Sequence, residues 1–224
     1  PKDGGIRRAT FVPVPPGEPL ERTLSEFEHF VQDHSTIPIL FAAGLAHAQF
    51  ETIHPFIDGN GRIGRLLLTL VFCQRRILTR PILYLSYFFK LRRVEYYDRL
   101  QAIRDHGDWE GWLRFFLTGL SESAQEATET ARHIVNMRET HRQLIATTMG
   151  QRSGKALELL EHLYHKPIVS VQSVQELIDV NYQYANRLVD NLQENGILRE
   201  ITGQRRNRRF GYGDYIDSFN MDGD

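Results

Sequence analysis

Residues 54–65 read HPFIDGNGRIGR and separate two apolar segments whose spacing predicts helices. Gly59 and Gly61 flank Asn60 directly before the second of these segments. Glycine and asparagine adopt turn conformations easily, so successive backbone N–H groups can point into one concavity at the positive end of the next helix. The pattern therefore predicts an anion-binding loop at a helix N-terminus.

Charged side chains around this loop indicate the chemistry of the site. Arg62 and Arg65 are three residues apart and share one side of the predicted helix, where both guanidinium groups can reach one polyphosphate. Asp58 supplies a carboxylate of the kind that Mg²⁺ uses beside phosphate oxygens. His54 can accept a proton near neutral pH. Each residue alone is more typical of a turn or a solvated helix face, but together they predict phosphoryl or nucleotidyl transfer.

The rest of the first 150 residues reads as an arm followed by helices. Proline and glycine mark residues 1–19 as a loop or hairpin arm. Apolar spacing then predicts one helix that begins at residue 20 and a second helix that ends just before His54. Further helices are predicted over 62–76, 94–105, 109–120 and 121–147. Each of the first three helices is expected to turn one apolar face to the core. These faces carry Leu24, Phe27, Phe30 and Val31 in the first, Ile37, Leu40, Phe41, Gly44, Leu45 and Ala48 in the second, and Ile63, Leu66, Leu67, Leu70 and Val71 in the third.

A short polar stretch near residue 150 predicts a domain boundary. The pattern after it predicts a helix over 155–164, a strand over 168–170, helices over 174–180 and 184–195, and a hairpin that bends at Gly203. This order is typical of a winged helix-turn-helix. We therefore expect an arm (1–19), a helical catalytic domain (20–150) and a winged helix domain (151–224).

The composition excludes several classes of protein. The 224 residues are 41% hydrophobic and 25% charged, which is typical of a globular chain rather than a disordered or fibrous one. No apolar run approaches the roughly 18 to 20 residues that span a bilayer, so we expect no membrane partner. A single cysteine, Cys73, excludes an internal disulfide and fits a reducing, cytoplasmic location.

The stretch 54–65 resembles the Fic family motif HPFx(D/E)GNGRxxR and matches it at every fixed position. Flanking segments are similar to bacterial Fic proteins that carry a C-terminal winged helix: AHAQFETI at 46–53, YLS at 84–86, EYY at 95–97 and GDW at 107–109. The resemblance implies an all-α core with a short β-hairpin flap. It also implies an adenylyltransferase that moves AMP from ATP, with Mg²⁺ or Mn²⁺, to a Tyr, Thr or Ser hydroxyl of a target protein and releases pyrophosphate.

The resemblance also implies a role for each motif residue. His54 becomes the general base for the target hydroxyl, Asp58 the metal ligand, and Phe56 an anchor that pins the loop in the core. The ATP and phosphate contacts fall on the residues that follow in the motif, namely Asp58, Gly59, Asn60, Gly61, Arg62, Ile63, Gly64 and Arg65. Asn60 and the neighbouring amides would hold the α- and β-phosphates, and Arg65 the γ-phosphate.

Residues outside the motif receive further implied roles. Tyr96 and Tyr97 lie where the family often contacts adenosine, and Thr10, Phe11 and Val12 are similar to the second half of the flap that pairs with a target strand. One branch of the family phosphorylates its targets and has lysine at the second motif glycine. Gly61 leaves room for a larger nucleotide and favours AMP transfer.

Regulation and two alternative functions stay open. Many relatives carry an inhibitory Ser/Thr-x-x-x-Glu-Gly/Asn helix, and residues 1–224 contain no such motif. Three alternatives stay open. The inhibitory helix lies upstream of Pro1, another segment or protein inhibits the chain, or the chain is not inhibited. The alternatives to AMP transfer are a de-AMPylating enzyme and a DNA-binding regulator whose Fic core senses nucleotide. An intact His54 favours an enzyme over the sensor.

The second domain offers two kinds of partner. Residues 204–209, QRRNRR, form a basic wing suited to phosphate contacts. Against this, residues 151–224 hold 9 Lys and Arg but 11 Asp and Glu. A DNA-binding face is usually basic over more than one loop. We therefore favour protein contact or self-association, including a homodimer and self-AMPylation, over DNA.

Overall fold

The computed structural model describes residues 11–33, 37–78 and 85–219. The chain forms two compact units that divide between Ala127 and Thr128. The helices of the first unit are α1 (Glu18–Gln32), α2 (Ile39–Ile53), α3 (Asn60–Gln74), α4 (Leu85–Leu91), α5 (Arg93–His106) and the start of α6 (Trp109–Thr148). In the described residues, no helix is long and apolar enough to cross a membrane.

Helix α2 lies at the centre of the first unit. It packs against α1, α3 and α5, and the indole N–H of Trp112 in α6 donates a hydrogen bond to the Gly44 carbonyl at 2.8 Å. The predicted inward stripe is correct for Gly44 and Ala48, which are buried. It is wrong for Ile37 and Phe41, which are 38% and 40% exposed. A helix with neighbours on several sides buries small residues on more than one face, so a single stripe does not describe it.

Helix α3 turns a different face inward than its spacing predicts. Ile63, Leu66 and Leu70 are 38%, 56% and 57% exposed, so the prediction that they point into the core is wrong. The buried positions are Asn60, Gly64, Leu68, Val71 and Phe72. Because α3 is apolar on most sides, periodicity cannot identify its buried face. The face that packs against α2 carries Asn60 and Gly64, which carry no strong hydrophobic signal.

Helix α6 is one helix of 40 residues where the sequence predicts two, over 109–120 and 121–147. No proline interrupts this stretch, and the small residues near 120 continue the helix. Its first turns bury Trp112 and Phe116 in the first unit, and its last turns bury Ile145 in the second. The two units therefore divide inside a helix, while the three domains expected with a boundary at 150 stay a prediction. Helix α4 has no counterpart among the predicted helices.

The second unit has a core of helices against a small sheet. After a 3₁₀ turn at Gly150–Arg152, its elements are α7 (Ser153–Leu163), β1 (Ile168–Val169), α8 (Val171–Leu177), α9 (Tyr182–Glu194), β2 (Leu198–Glu200), β3 (Phe210–Tyr212) and α10 (Gly213–Asp217). The antiparallel strands lie in the order β1-β3-β2, with Leu198 opposite Tyr212 and Ile168 opposite Gly211. The predicted order of helix, strand, two helices and hairpin is present, with α10 added.

Capping explains why two helices begin earlier than predicted. Helix α8 begins at Val171 rather than 174 because Ser170 and Ser173 form a capping box. The Ser173 N–H donates to Ser170 Oγ at 3.1 Å, and the Ser170 N–H donates to Ser173 Oγ at 2.8 Å. Helix α9 begins at Tyr182 rather than 184 because Asn181 Oδ1 accepts from the Tyr184 N–H at 2.9 Å.

Candidate active site

The motif forms the corner between α2 and α3, and a left-handed residue lies at each side of the loop. His54 ends α2 with φ 51° and ψ 56°, and its N–H donates to the Phe50 carbonyl at 3.0 Å. Gly59 precedes α3 with φ 89°, where a residue with a Cβ is strained. A non-glycine residue with positive φ is uncommon and persists where its surroundings hold it. The backbone of His54 is therefore fixed by the helix that it ends.

The ring of His54 is oriented by the last turn of α2. Nδ1 lies 3.4 Å from the carbonyl oxygen of Glu51. A carbonyl only accepts, so we infer that Nδ1 carries the proton and that Nε2 keeps its lone pair. The Phe11 ring packs edge-on against the imidazole, with centroids 5.7 Å apart. A half-buried histidine held in this tautomer suits a general base.

The N-terminus of α3 presents an anion-binding surface. Its N-cap, Gly59, has no side chain, so no side-chain hydrogen bond caps the first turn. The N–H groups of a first turn have no acceptor within the helix and carry the positive end of its dipole. Arg62 pairs with Asp58 at 3.2 Å, but their side chains are 75% and 90% exposed. Such a pair contributes little stability and opens easily for a ligand.

Asn60, not the Phe56 ring, holds the loop in shape. The Asn60 Oδ1 accepts from the Phe56 N–H at 2.9 Å, and Nδ2 donates to the Phe56 carbonyl at 2.6 Å. Asn60 is 2% exposed, whereas Phe56 is 47% exposed. The prediction that Phe56 anchors the loop in the core is therefore wrong. With its side chain committed to Phe56, Asn60 offers a ligand its backbone N–H, and its phosphate contact stays a prediction.

A buried carboxylate lies beneath the first turn of α3. Glu51 is 5% exposed, and its Oε1 has no hydrogen-bond partner among the described residues. A Cβ on Gly64 would lie 2.8 Å from this oxygen, and one on Gly61 would lie 3.2 Å from Nη1 of Arg65. Both glycines thus allow close packing. Burial raises the pKa of Glu51, and the neighbouring His54, Arg65 and Arg104 oppose this rise.

His47 supports α3 from the core. Its Nδ1 lies 3.1 Å from the Gly64 carbonyl, and its Nε2 lies 2.9 Å from the Tyr96 hydroxyl. The carbonyl can only accept, so Nδ1 donates and Nε2 accepts from Tyr96. Burial lowers the pKa of His47 to about 4, which keeps the ring neutral. Gly64 therefore lies on the buried side of α3, whereas Arg62 is exposed and Arg65 is half-buried.

The two tyrosines proposed for adenosine lie in different surroundings. Tyr96 is 4% exposed and is committed to His47, whereas Tyr97 is 53% exposed. Tyr97 is therefore the one of the pair with a ring that a nucleotide could reach. Ile63 is also at the surface, at 38% exposure. Contact of these residues with ATP stays a prediction.

Arg104 and Glu51 are site residues that the sequence does not reveal. Arg104 Nη2 donates to the Glu51 carbonyl at 3.0 Å, the same oxygen that faces His54 Nδ1. Its guanidinium also lies over the Phe11 ring, 3.8 Å from the centroid. Arg104 comes from α5, and no motif spacing links it to α2.

The proposed flap is described only in part. Thr10 lies outside the described residues, and residues 11–15 form no strand. Phe11 packs on His54 and Arg104, and Val12 is 51% exposed. Pairing of this segment with a target strand stays a prediction.

We expect Glu51→Gln to stabilise the chain at neutral pH. A carboxyl whose pKa is raised by folding contributes most below its unfolded pKa of about 4.3, and stability falls as pH rises through the folded pKa. Glutamine keeps the size and cannot ionise. The gain should be about 1 kcal/mol at pH 7, roughly 2–4 °C in Tm, and should vanish near pH 4.

Thermal unfolding at the two pH values measures this effect. Glu26→Gln, on the exposed face of α1, is the matched control and should show no pH-dependent gain. A Glu51→Gln variant that is less stable than the parent at pH 7 would mean that the charged carboxylate holds the surrounding cations together.

Part of the chain is similar in sequence to known proteins. Residues 2–72 match the family described as Fic/DOC. These residues of the chain belong to the Fic/DOC family. The chain is 37% identical over 123 residues to the protein adenylyltransferase Fic of Drosophila grimshawi, a match that covers 51% of this chain and 24% of that protein. It is also 34% identical over 70 residues to a probable protein adenylyltransferase of Aquifex aeolicus, covering 31% of this chain and 22% of that one.

A solved Fic structure shares the fold. The crystal structure of a Fic family protein from Desulfovibrio desulfuricans G20 superposes with a TM-score of 0.51 at 19% identity, covering 89% of this chain and 56% of that chain. At this identity the match supports the mostly helical Fic fold alone. This Fic chain spans about a quarter or less of the length of the curated relatives, 24% and 22% for the two above.

Proposed function

We propose that this Fic chain is a protein adenylyltransferase that transfers AMP from ATP to a hydroxyl side chain of a target protein. The observation that carries the proposal is the corner formed by residues 54–60, where His54 ends α2 with its Nδ1 turned to the Glu51 carbonyl and the uncapped N-terminus of α3 follows after a five-residue loop. A proton acceptor thereby stands beside an anion-binding surface. The similarity to relatives named protein adenylyltransferase supports the same activity.

The proposed reaction uses groups of this chain at each step. His54 Nε2 takes the proton of the target hydroxyl, and the hydroxyl oxygen attacks the α-phosphorus of ATP. The bond from the α-phosphorus to the bridging oxygen breaks, and pyrophosphate leaves. The first-turn N–H groups of α3, with Arg62 and Arg65, stabilise the negative charge on the phosphates.

Asp58 fits a magnesium ion that arrives with ATP. In the part of the chain that the structure describes, no group of three or more His, Cys, Asp or Glu side chains could hold a metal. Asp58 would supply one exposed carboxylate, and phosphate oxygens and water would complete the usual oxygen ligands of Mg²⁺. When bound, the ion neutralises phosphate charge. Its position here would replace the weak pair between Asp58 and Arg62.

The proposal assigns the outer segments as well. Residues 10–12 would align a target strand, and the packing of Phe11 against His54 supports this because it places the segment beside the base. We also propose that residues 20–150 form the catalytic domain and that 151–224 form a winged helix. The order of helices and strands in the second unit supports the latter.

Differential labelling tests the proposal. The chain is incubated with a cell lysate and ATP labelled on either the α- or the γ-phosphate. AMP transfer leaves the α-label, and not the γ-label, on a protein. Retention of the γ-label would indicate phosphoryl transfer. Release of AMP from a previously modified protein, without net labelling, would indicate the reverse reaction.

We expect Asp58→Ala to mimic removal of the metal. Without its carboxylate the chain should lose the productive pose of Mg²⁺-ATP, with transfer reduced about 10- to 100-fold. Excess chelator should reduce the parent similarly and add little to the variant. Asp98→Ala, an exposed carboxylate of α5, is the matched control. Transfer by the parent that continues unchanged in chelator would exclude the metal role.

A further inference from the structure

The second unit presents a pair of helices whose outer face is polar. Helices α8 and α9 are joined by a short turn in which Asp179 is left-handed, with φ 49°. Helix α9 buries Ala185, Leu188, Val189 and Leu192 against the core. Its outer face, one to two turns from the N-terminus, carries Gln183, Asn186, Arg187 and Asp190. This helix is therefore anchored on one side and open on the other.

The loop between β2 and β3 presents arginines in a defined position. The Glu200 carboxylate accepts from the Thr202 N–H at 2.8 Å and from the Gly203 N–H at 2.9 Å, which fixes the start of the loop. The exposed arginines that follow are Arg205, Arg206 and Arg209. Among the described residues 128–219, no carboxylate lies within ion-pair distance of these three side chains.

The loop and the outer face of α9 are neighbours. Arg208 Nη2 lies 3.9 Å from Asp190 Oδ1, and Asn186 Nδ2 donates to Asp190 Oδ2 at 2.9 Å. The acidic residue in the middle of α9 is therefore offset by the loop. We group the three arginines with Gln183, Asn186 and Arg187 on this side of the unit and call the set the basic surface.

Several acidic residues of the unit are engaged by other groups of the unit. Glu161 pairs with Arg138 and Arg142 along α6 and α7, and Asp217 pairs with Arg199. Glu200 is used inside the loop. The excess of acidic over basic residues is a count over all of 151–224, whereas the three exposed arginines of the loop have no ion-pair partner among the described residues 128–219.

We propose that the basic surface binds duplex DNA, independently of the proposed transferase activity. The arginines of the loop would contact phosphates. Helix α9, 13 residues long, fits the major groove, which is about 12 Å wide. Gln183, Asn186 and Arg187 are of the types that read base edges there.

Fluorescence anisotropy of the full chain with a labelled duplex of about 30 base pairs tests this. We expect binding that weakens about 40-fold between 50 and 200 mM salt, the dependence for three released phosphate counterions. The triple variant Arg205→Ala, Arg206→Ala, Arg209→Ala should bind at least about 10-fold more weakly, with a flatter salt dependence. Its circular dichroism should match the parent.

A control variant with the same net charge shows whether DNA binding depends on the basic surface or only on the total charge of the chain. Arg22, Arg76 and Arg132 are exposed arginines outside the basic surface, and their triple alanine variant should bind DNA as the parent does. Equal losses in both variants, or no binding at 50 mM salt, would overturn the proposal. Tighter binding to polyglutamate than to the duplex at matched charge would overturn it in favour of an acidic protein partner.

Discussion

His54→Ala abolishes AMP transfer but leaves ATP binding within a few-fold of the parent. His54 ends α2 at the proposed site, and its Nδ1 is turned to the Glu51 carbonyl, so Nε2 would be available for the hydroxyl proton. In the proposed function the phosphates are bound by α3 and its arginines, which the substitution leaves intact. A positioned base contributes roughly 10²- to 10⁴-fold to a rate, so the loss should appear in kcat rather than in the Kd for ATP.

Transfer from α-labelled ATP measures the rate, and calorimetry measures ATP binding. His106→Ala, an exposed histidine at the end of α5, is the matched control and should leave both quantities unchanged. Target labelling by His54→Ala at the parent rate would remove His54 from proton transfer. A loss of ATP binding equal to the loss of rate would instead make it a binding residue.

The local structure of the motif is predictable because its causes are local. Pro55 disfavours helical geometry at His54, and α2 does end at Ile53. The Gly-Asn-Gly turn places the start of α3 at Asn60, two residues before the predicted start. Both effects act over a few residues, so the corner and its uncapped helix N-terminus follow from the sequence.

The surroundings of the motif are not predictable in this way, because they depend on contacts between distant segments. Arg104 reaches the Glu51 carbonyl across a separation of 53 residues. The inward face of α3 is set by packing against α2, which favours Gly64 over the larger Ile63 and Leu66. Hydrophobic periodicity identifies the buried face of a helix only when one side is more apolar than the others. On a helix that is apolar on all sides, it does not show which face is buried.

The ends of long polar helices and of helices with side-chain caps are also poorly predicted by apolar spacing. Periodicity divides α6 in two at residue 120, although no residue there breaks a helix. The capping box of Ser170 and Ser173 moves the start of α8 by a full turn, because a hydroxyl that caps a helix weighs more than the position of the first apolar residue.

Asn60→Ala should lower both stability and turnover, because Asn60 is a positioning residue for the whole loop. The substitution removes two hydrogen bonds to the Phe56 backbone from a side chain that is 2% exposed. At about 1 kcal/mol for each bond, the loss of stability is about 2 kcal/mol, or roughly 4–8 °C in Tm for a chain of this size. A loop that no longer holds its shape misplaces Asp58 and the mouth of α3, and a displacement of about 1 Å can cost roughly 100-fold in rate.

Phe56→Ala is the matched control for this prediction. It removes a side chain that is 47% exposed but keeps both backbone hydrogen bonds to Asn60, so it should lose less stability and less activity. Asn60→Asp loses the donor and places a buried carboxylate oxygen against the Phe56 carbonyl, so its Tm should fall as well. A residue that only contacted phosphate would weaken ATP binding without changing Tm. An unchanged Tm in Asn60→Ala would therefore contradict the positioning role and return Asn60 to the phosphates.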